Sequence, residues 1–543
     1  MKFDELTPRQ KEVVSATEPF VLVFGSPGSG KTTTALWTAK AAVDYVALPD
    51  QRVLFLTFSR TAVTQIARSA PDILGSTHGR IEIFTFHSLA WRLVRAFGRY
   101  GGHGTTLPEL QSEARVKLMG RQPGRMVYDD LIPAARALLR SRRIRELVLR
   151  RWPLVICDEF QDTDDEQWAL VREIGGAGRT VVLCDPNQMI YTFLKHRGVG
   201  PNRLELAQAL AGRRVELEAR SHRDPSGAIP AMAEAIRTRR FDDPAVASAI
   251  ATGRLSIVAD VSEESLGERL VEQIGRVRSS GAKSVGVFGH SNVGVADIAA
   301  TLADARIDHV LIGISEAHAE ALNTIATLCG FGVGLKTQDD VRLAFATFLT
   351  ACSRGRTAPT MAVSLRTGVG LPALVASSLE ELMRGLQEAA GGAVGELVSA
   401  GCNGWRALRI IGGARAWRRA SLDFVALVRR ASTSRASVGA IQPILSVVER
   451  RHANPLLESD PTVPGPVQVM NFHQTKGREA DAVILVYRDG DYLADRNDSE
   501  PFEESSRVLL VALSRAKKEV VVILPVEPHQ LVAPFTELGA GGS

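Results

Sequence analysis

The chain has 543 residues, 45% of them hydrophobic and 23% charged, with a formal net charge of +5 at neutral pH. That length is too great for one ordinary core and implies two to four domains, while the composition excludes a disordered chain. No apolar run approaches a membrane span, and the opening MKFDELTPRQ carries acids where a secretion signal would be basic then apolar. The expectation is a cytoplasmic protein with no membrane partner.

In chain order, FVLVF near Phe20, VLFLTF near Val53, PLVICDE near Pro153 and TVVLCD near Thr180 read as buried parallel strands separated by helical segments. The pattern returns in SVGVFGH near Ser284, VQVMNF near Val467, AVILVY near Ala482 and VVVILP near Val520. Two α/β domains are predicted, each interrupted by an insertion. The first occupies 1–88 and 126–205 with a small insertion at 89–125; the second occupies 206–315 and 456–543 with a mainly helical insertion at 316–455. Cys157, Cys184, Cys329, Cys352 and Cys402 lack metal spacing and read as free thiols. Arginines bunch at Arg136–Arg151 and Arg406–Arg435. Such clusters suit phosphate contacts and suit a solvated helix face equally well.

The first strand runs into GSPGSGKTTT, the P-loop pattern, ahead of a helix-forming stretch. Gly25, Ser26, Gly28, Ser29 and Gly30 let backbone N–H groups curl round phosphates, with Lys31, Thr32 and Thr33 following at the helix start. Lys31 would neutralise the β and γ groups of ATP, and the Thr32 hydroxyl would hold Mg²⁺. Further on, PLVIC delivers Asp158 and Glu159 at a strand's C-terminal end, where ligands of open α/β sheets bind. Adjacent acids there can divide labour: Asp158 on the Mg²⁺ shell, Glu159 accepting a proton from the attacking water.

With the P-loop, DEFQD at Asp158–Asp162 resembles the UvrD/Rep group of superfamily 1 DNA helicases. The resemblance implies two RecA-like P-loop NTPase domains with parallel sheets. It also implies ATP hydrolysis with Mg²⁺ coupled to 3′ to 5′ movement along single-stranded DNA, including tailed or forked duplexes. LTPRQKEVV is similar to the adenine-reading motif and implies Gln10 on the base. LFLTFSRTA and IFTFHSLAWRL resemble strand-contacting motifs and offer Phe58 and His87. CDPNQMIYTF implies Gln188 as γ-phosphate sensor and Tyr191 and Phe193 facing bases. VMNFHQTKGREADAV implies His473 on nucleic acid and Glu479 on the ribose, and LVALSRAKKEV implies Arg515 on the γ-phosphate. LEARSHRDP fits its motif loosely, with Arg223 the first choice as second arginine and Arg220 the reserve.

Two alternatives stay open. Compact insertions also suit an ATP-gated DNA-binding subunit that unwinds little and works with a separate nuclease or repair protein in DNA repair or anti-phage defence. The motifs do not by themselves exclude RNA. No stretch after Arg515 is long enough for a fused nuclease domain.

Overall fold

The structure, a computed structural model, describes residues 3–45, 48, 50–101, 109–176, 178–218, 221–312, 316–353, 355–410, 412–431, 436–453, 466–495 and 498–540. In chain order the strands are β1 (Phe20–Phe24), β2 (Val53–Thr57), β3 (Ile81–Thr85), β4 (Glu109–Leu110), β5 (Arg125–Met126), β6 (Leu154–Cys157) and β7 (Arg179–Cys184). They continue as β8 (Arg213–Glu216), β9 (Leu255–Val261), β10 (Val285–Gly289), β11 (Val310–Leu311), β12 (Val467–Asn471), β13 (Ala480–Val486) and β14 (Ala516–Pro525). The strands expected from the apolar runs are present because VLFLT and LVIC bury every residue, as strands covered by helices on both faces must.

Two six-stranded sheets result, ordered β3-β2-β6-β7-β1-β8 and β11-β12-β10-β13-β14-β9. Neighbours within both sheets pair in parallel. A parallel sheet gathers the C-terminal ends of its strands on one edge, and residues following β1, β6 and β7 are brought together for that reason. The first sheet's core includes Val21, Val23, Phe55, Ile156 and Val181; the second sheet is covered on one face by a cluster containing Val483 and Val520 and on the other by one containing Val287 and Ile484.

The expected boundary at 205 falls short of the observed one. β8 pairs with β1, aligning Val21 with Arg213 and Phe24 with Glu216, so the first sheet extends into the segment assigned to the second domain. In β8 only Val215 is buried, and an edge strand with charged neighbours carries little apolar signal.

The chain divides into two compact units, and both sheets belong to the first: 1–93, 132–313 and 459–543. The second unit joins 94–131 and 314–458 in one body, in place of the separate insertions expected at 89–125 and 316–455. It is mainly helical. Glu316–Gly332 and Gln338–Cys352 pack with Ala373–Ala389, Val394–Ala407 and Ala414–Ala431 round a core centred on Phe345, Phe348, Trp405 and Trp417. The short helix Glu113–Met119 joins that core through Leu118, and Ala114 N–H donates to Glu316 Oε1 at 2.8 Å. The β4–β5 ladder lies beside this helix in the same inserted piece. No described helix is long and apolar enough to cross a membrane.

Phe345 is fully buried, with its ring stacked on Trp417 at 5.8 Å and tilted against Trp405 at 6.0 Å. Phe345→Ala is expected to cost the second unit about 3–5 kcal/mol through lost burial and the cavity left behind. Tryptophan-monitored denaturant unfolding checks this, and a loss below about 1 kcal/mol would show that the site collapses around the gap.

Candidate functional site

β1 ends at Phe24, and the loop Gly25–Gly30 leads into the helix Lys31–Tyr45, so a helix N-terminus with its unpaired N–H groups faces the loop. Two glycines are required here. Gly28 and Gly30 hold φ +81° and +86°, and a Cβ at each would lie 2.5 Å from Ser221 Oγ and Gln10 Nε2 respectively. Lys31 Nζ donates to the loop carbonyls of Gly25 at 2.5 Å and Ser26 at 3.1 Å and stands 3.7 Å from Asp185. Gln10 is fully buried: its Oε1 accepts the Thr7 N–H in a capping box and its Nε2 donates to Ser29 O at 3.3 Å. The adenine-side candidate therefore abuts the phosphate loop.

From β6 the chain delivers Asp158, which is buried, and Glu159, which takes a left-handed φ of 55°. Gln161 Nε2 donates to Glu159 Oε2 at 2.8 Å, and Gln161 Oε1 accepts the Asp185 N–H at 3.0 Å. After β7, Asp185 accepts from Gln188 Nε2 at 2.7 Å, leaving Gln188 Oε1 to accept from Arg515 Nη2 at 2.7 Å. Arg515 belongs to the second sheet's portion of the chain and is only 3% exposed.

One cleft of about 320 Å³ opens among these groups. Of the expected residues it is lined by Ser26, Gly28, Gly30, Lys31, Thr32, Thr33, Asp158, Glu159, Gln188, Arg223, Glu479 and Arg515, with Phe58 and Tyr191. Gly25 and Ser29 belong to the loop without lining the cleft and Gln10 adjoins it, whereas His87 stands in the helix Phe86–Phe97 and does not line the cleft. Arg220 and the side chain of Phe193 lie outside the described residues.

Charge in the cleft is unevenly matched. Burial, reinforced by Glu159, pushes the Asp158 carboxyl above the ordinary range. Burial opposes ionisation of Glu159 too, but Lys476 and Lys31 overcome it and hold that carboxyl below the ordinary value. Burial and the neighbouring Arg223 pull Arg515 down to about 9, still charged at neutral pH. Arg223 Nη1 donates to Ser514 O at 2.6 Å, and its Nε, 3.5 Å from Glu479, makes no hydrogen bond among the described residues. Two arginines beside Lys31 on a helix N-terminus form a cradle for a polyphosphate. A hydroxyl at Thr32 and a carboxylate at Asp158 are oxygen donors of the kind Mg²⁺ takes alongside phosphate oxygens, and Asp158's burial favours a cation partner.

Glu479, expected on the ribose, is held by Gln65 Nε2 and Lys517 Nζ, each at 3.1 Å, beside Arg223. Toward the other side, Phe58 and Tyr191 stack at 4.7 Å, Tyr191 and His473 face each other at 6.1 Å, and Tyr191 Oη donates to His473 O at 3.3 Å. Burial lowers the His473 pKa, favouring a neutral imidazole.

Sequence reasoning missed Lys476, Asp185 and Gln161. Lys476 is 5% exposed, forms a close ion pair with Asp162, stands 3.3 Å from Glu159 and donates to Gln188 O at 3.1 Å. Its position inside HQTKGRE, between His473 and Glu479, was the available signal.

A family described as "AAA domain" matches residues 10–194. DNA helicase II of Escherichia coli (strain K12) is 23% identical over 247 residues, covering 35% of this chain and 34% of that protein. ATP-dependent DNA helicase PcrA of Bacillus subtilis (strain 168) is 22% identical over 252 residues, with shares of 35% and 34%. RecBCD enzyme subunit RecB of Mycolicibacterium smegmatis is 38% identical over 85 residues, 15% of this chain and 8% of that protein. The matched segments thus span about a third of the two helicases' own length.

Lys31→Ala deletes the ammonium that the loop carbonyls hold at its mouth. Losing one charge-assisted contact of about 1.5–3 kcal/mol predicts roughly 10- to 100-fold weaker binding of a fluorescent ATP analogue. Equilibrium titration measures it, and unchanged affinity in a folded variant would remove Lys31 from the phosphate site.

Proposed function

We propose that this chain, which belongs with the UvrD-like superfamily 1 helicases, hydrolyses ATP with Mg²⁺ and couples that reaction to movement along single-stranded DNA. One observation carries the reading: Arg515, from the second sheet's portion, reaches Gln188 of the first at 2.7 Å across the cleft that holds the phosphate loop. A nucleotide bound there meets groups from both sheets, so its γ-phosphate can decide whether they stay together.

In the reaction a water oxygen attacks the γ-phosphorus, the bond from that phosphorus to the β,γ-bridging oxygen breaks, and ADP and phosphate leave. Glu159, ionised beside Lys476 and Lys31, accepts the water's proton. Lys31, Arg223 and Arg515 offset charge on the phosphate oxygens, and Gln188 orients groups at the γ-phosphate. Thr32 and Asp158 would hold Mg²⁺, which when bound neutralises part of the β- and γ-phosphate charge. Gln10 selects the base, with Glu479 on the ribose side. Phe58, Tyr191 and His473 form the nucleic-acid side, where stacking tolerates any base sequence, and the family resemblance adds Phe193 and His87 as further contacts. The expected direction is 3′ to 5′.

A second reading keeps the ATP cycle but makes DNA binding, rather than unwinding, its product. The RecB match favours it, since that relative is named as a subunit of a larger enzyme. On this reading the partner is a separate nuclease or repair protein.

Glu159→Gln is expected to bind Mg-ATP and an oligonucleotide normally while kcat falls about 10²- to 10⁴-fold, because the base is lost and the cradle kept. Single-turnover hydrolysis beside nucleotide titration separates the two; near-normal turnover would assign the proton to another group.

Replacing both Phe58 and Tyr191 by Ala should remove about 2–6 kcal/mol of stacking if each meets a base. Stimulation of ATPase by single-stranded DNA and displacement of streptavidin from biotinylated oligonucleotides should then be lost together. If wild type displaces streptavidin from neither end, the ATP-gated binder is preferred. A double variant as active as the wild type would make the pair a packing contact.

A further inference from the structure

The helix Ala414–Ala431 of the second unit carries much of the arginine cluster at Arg406–Arg435, to which the ATP cycle gives no task. Trp417, Ala420, Phe424 and Val428, three or four residues apart, form the stripe that this helix buries in the unit's core. One such stripe is enough to dock an amphipathic helix. This helix has a second set of apolar side chains off that stripe. Leu422 is 52% exposed, Ala426 is exposed one turn later, and Val425 is half-buried at the margin.

A groove of about 420 Å³ runs beside them, lined by Ser421, Leu422, Val425, Ala426, Arg429 and Arg430. Both arginines are exposed, and neither pairs with a carboxylate among the described residues. Asp423, the one acid in the helix, is engaged elsewhere: Arg419 Nε and His318 Nε2 stand 3.4 and 3.0 Å from its Oδ2. The groove therefore combines an apolar floor with two cations that no anion of the same helix answers. The phosphate backbone of a nucleic acid would use the arginines and gain nothing from Leu422 and Val425, because it presents charge without apolar surface. A peptide can meet both demands, with carboxylates for Arg429 and Arg430 and a large apolar side chain for the floor. From Leu422 to Arg430 the helix rises about 12 Å, the length of roughly four extended residues, so a short segment suffices.

We propose that this groove is a docking site for an acidic peptide segment of a partner protein, with a leucine or aromatic anchor set among aspartates or glutamates. The site lies in the helical unit and stands independently of the reading of the ATP cleft.

The test is fluorescence anisotropy of the full chain with a fluorescein-labelled synthetic peptide, Asp-Asp-Leu-Asp-Asp-Leu-Asp-Phe. Saturable binding with a Kd below about 100 µM is expected from two charge-assisted contacts and one buried anchor. Serine in place of the peptide's leucines and phenylalanine should weaken binding at least about tenfold, and lysine in place of its aspartates should do the same. On the protein, Leu422→Ser, and separately Arg429→Ser with Arg430→Ser, should each weaken it about tenfold. These positions are exposed, and tryptophan-monitored unfolding checks that each variant keeps its fold. If one does not, the serine peptide on wild type decides. Absence of saturable binding up to about 1 mM would overturn the proposal, as would binding that the folded protein variants leave unchanged. Equal binding of the serine peptide would reduce the contact to charge attraction and overturn it too. Displacement of the peptide by a duplex oligonucleotide would assign the face to nucleic acid, with the same consequence.

Discussion

Burying several cations in one cleft is tolerable only if anions come with them, and this requirement organises the molecule. Lys31, Lys476, Arg223 and Arg515 converge on Asp158, Glu159, Asp162 and Asp185 where the two sheets' loops meet. Taking such groups out of water costs several kcal/mol per ion, recovered only through close pairing. Pairing is close for Lys476, with its ion pair to Asp162, and weaker for Arg515, which donates to Gln188 and the backbone carbonyl of Val511. The lowered pKa of Arg515 expresses that imbalance: burial and Arg223 both disfavour its charge. A polyphosphate would correct the deficit. Its binding would favour the arrangement that brings the arginines together, and its loss would favour separation.

Parallel sheet topology explains why so many unrelated stretches supply this one place. β1, β6 and β7 are neighbours in the first sheet, and the residues after each emerge on the same edge. The second sheet contributes through loops following β12 and preceding β14, which carry Lys476 and Arg515. Between the sheets, the segment after β8 passes the phosphate loop, where the His222 N–H donates to Gly28 O at 2.9 Å. That contact, with Ser221 against Gly28, fixes the approach of Arg223 to the cleft.

How much of this could be read from the chain depended on whether a residue's job left a local mark. The phosphate loop did, since Gly28 and Gly30 need a backbone only glycine adopts freely and a strand and helix flank them. The β6 strand did as well, because four consecutive buried apolar residues end in two acids. β8 did not. Three of its four residues are charged and exposed, so its membership of the first sheet depends on pairing with β1, which no local pattern announces. The union of the two insertions was hidden for a similar reason: Leu118 completes a core whose other buried members lie between Ala321 and Val448. Lys476 is the clearest case. A lysine in a loop reads as solvated, and its burial follows only from the carboxylate that the first sheet's portion of the chain places beside it.

The aromatic and phosphate-loop sides of the cleft are built from the same short stretches of chain. Tyr191 comes three residues after Gln188, and His473 three before Lys476, so each portion of the chain carries one group for each side on a single short turn. The two turns are joined twice, by the Tyr191 hydroxyl to His473 O and by Lys476 to Gln188 O. Two joints fix relative orientation as well as separation, which one joint would not. A base inserted beside Tyr191 would have to disturb its stack on Phe58, its bond to His473, or both. Either change reaches the backbone that carries Gln188, and Gln188 is also the residue Arg515 grips. The stacked aromatic pair and the contact of Gln188 with Arg515 therefore share the same two turns.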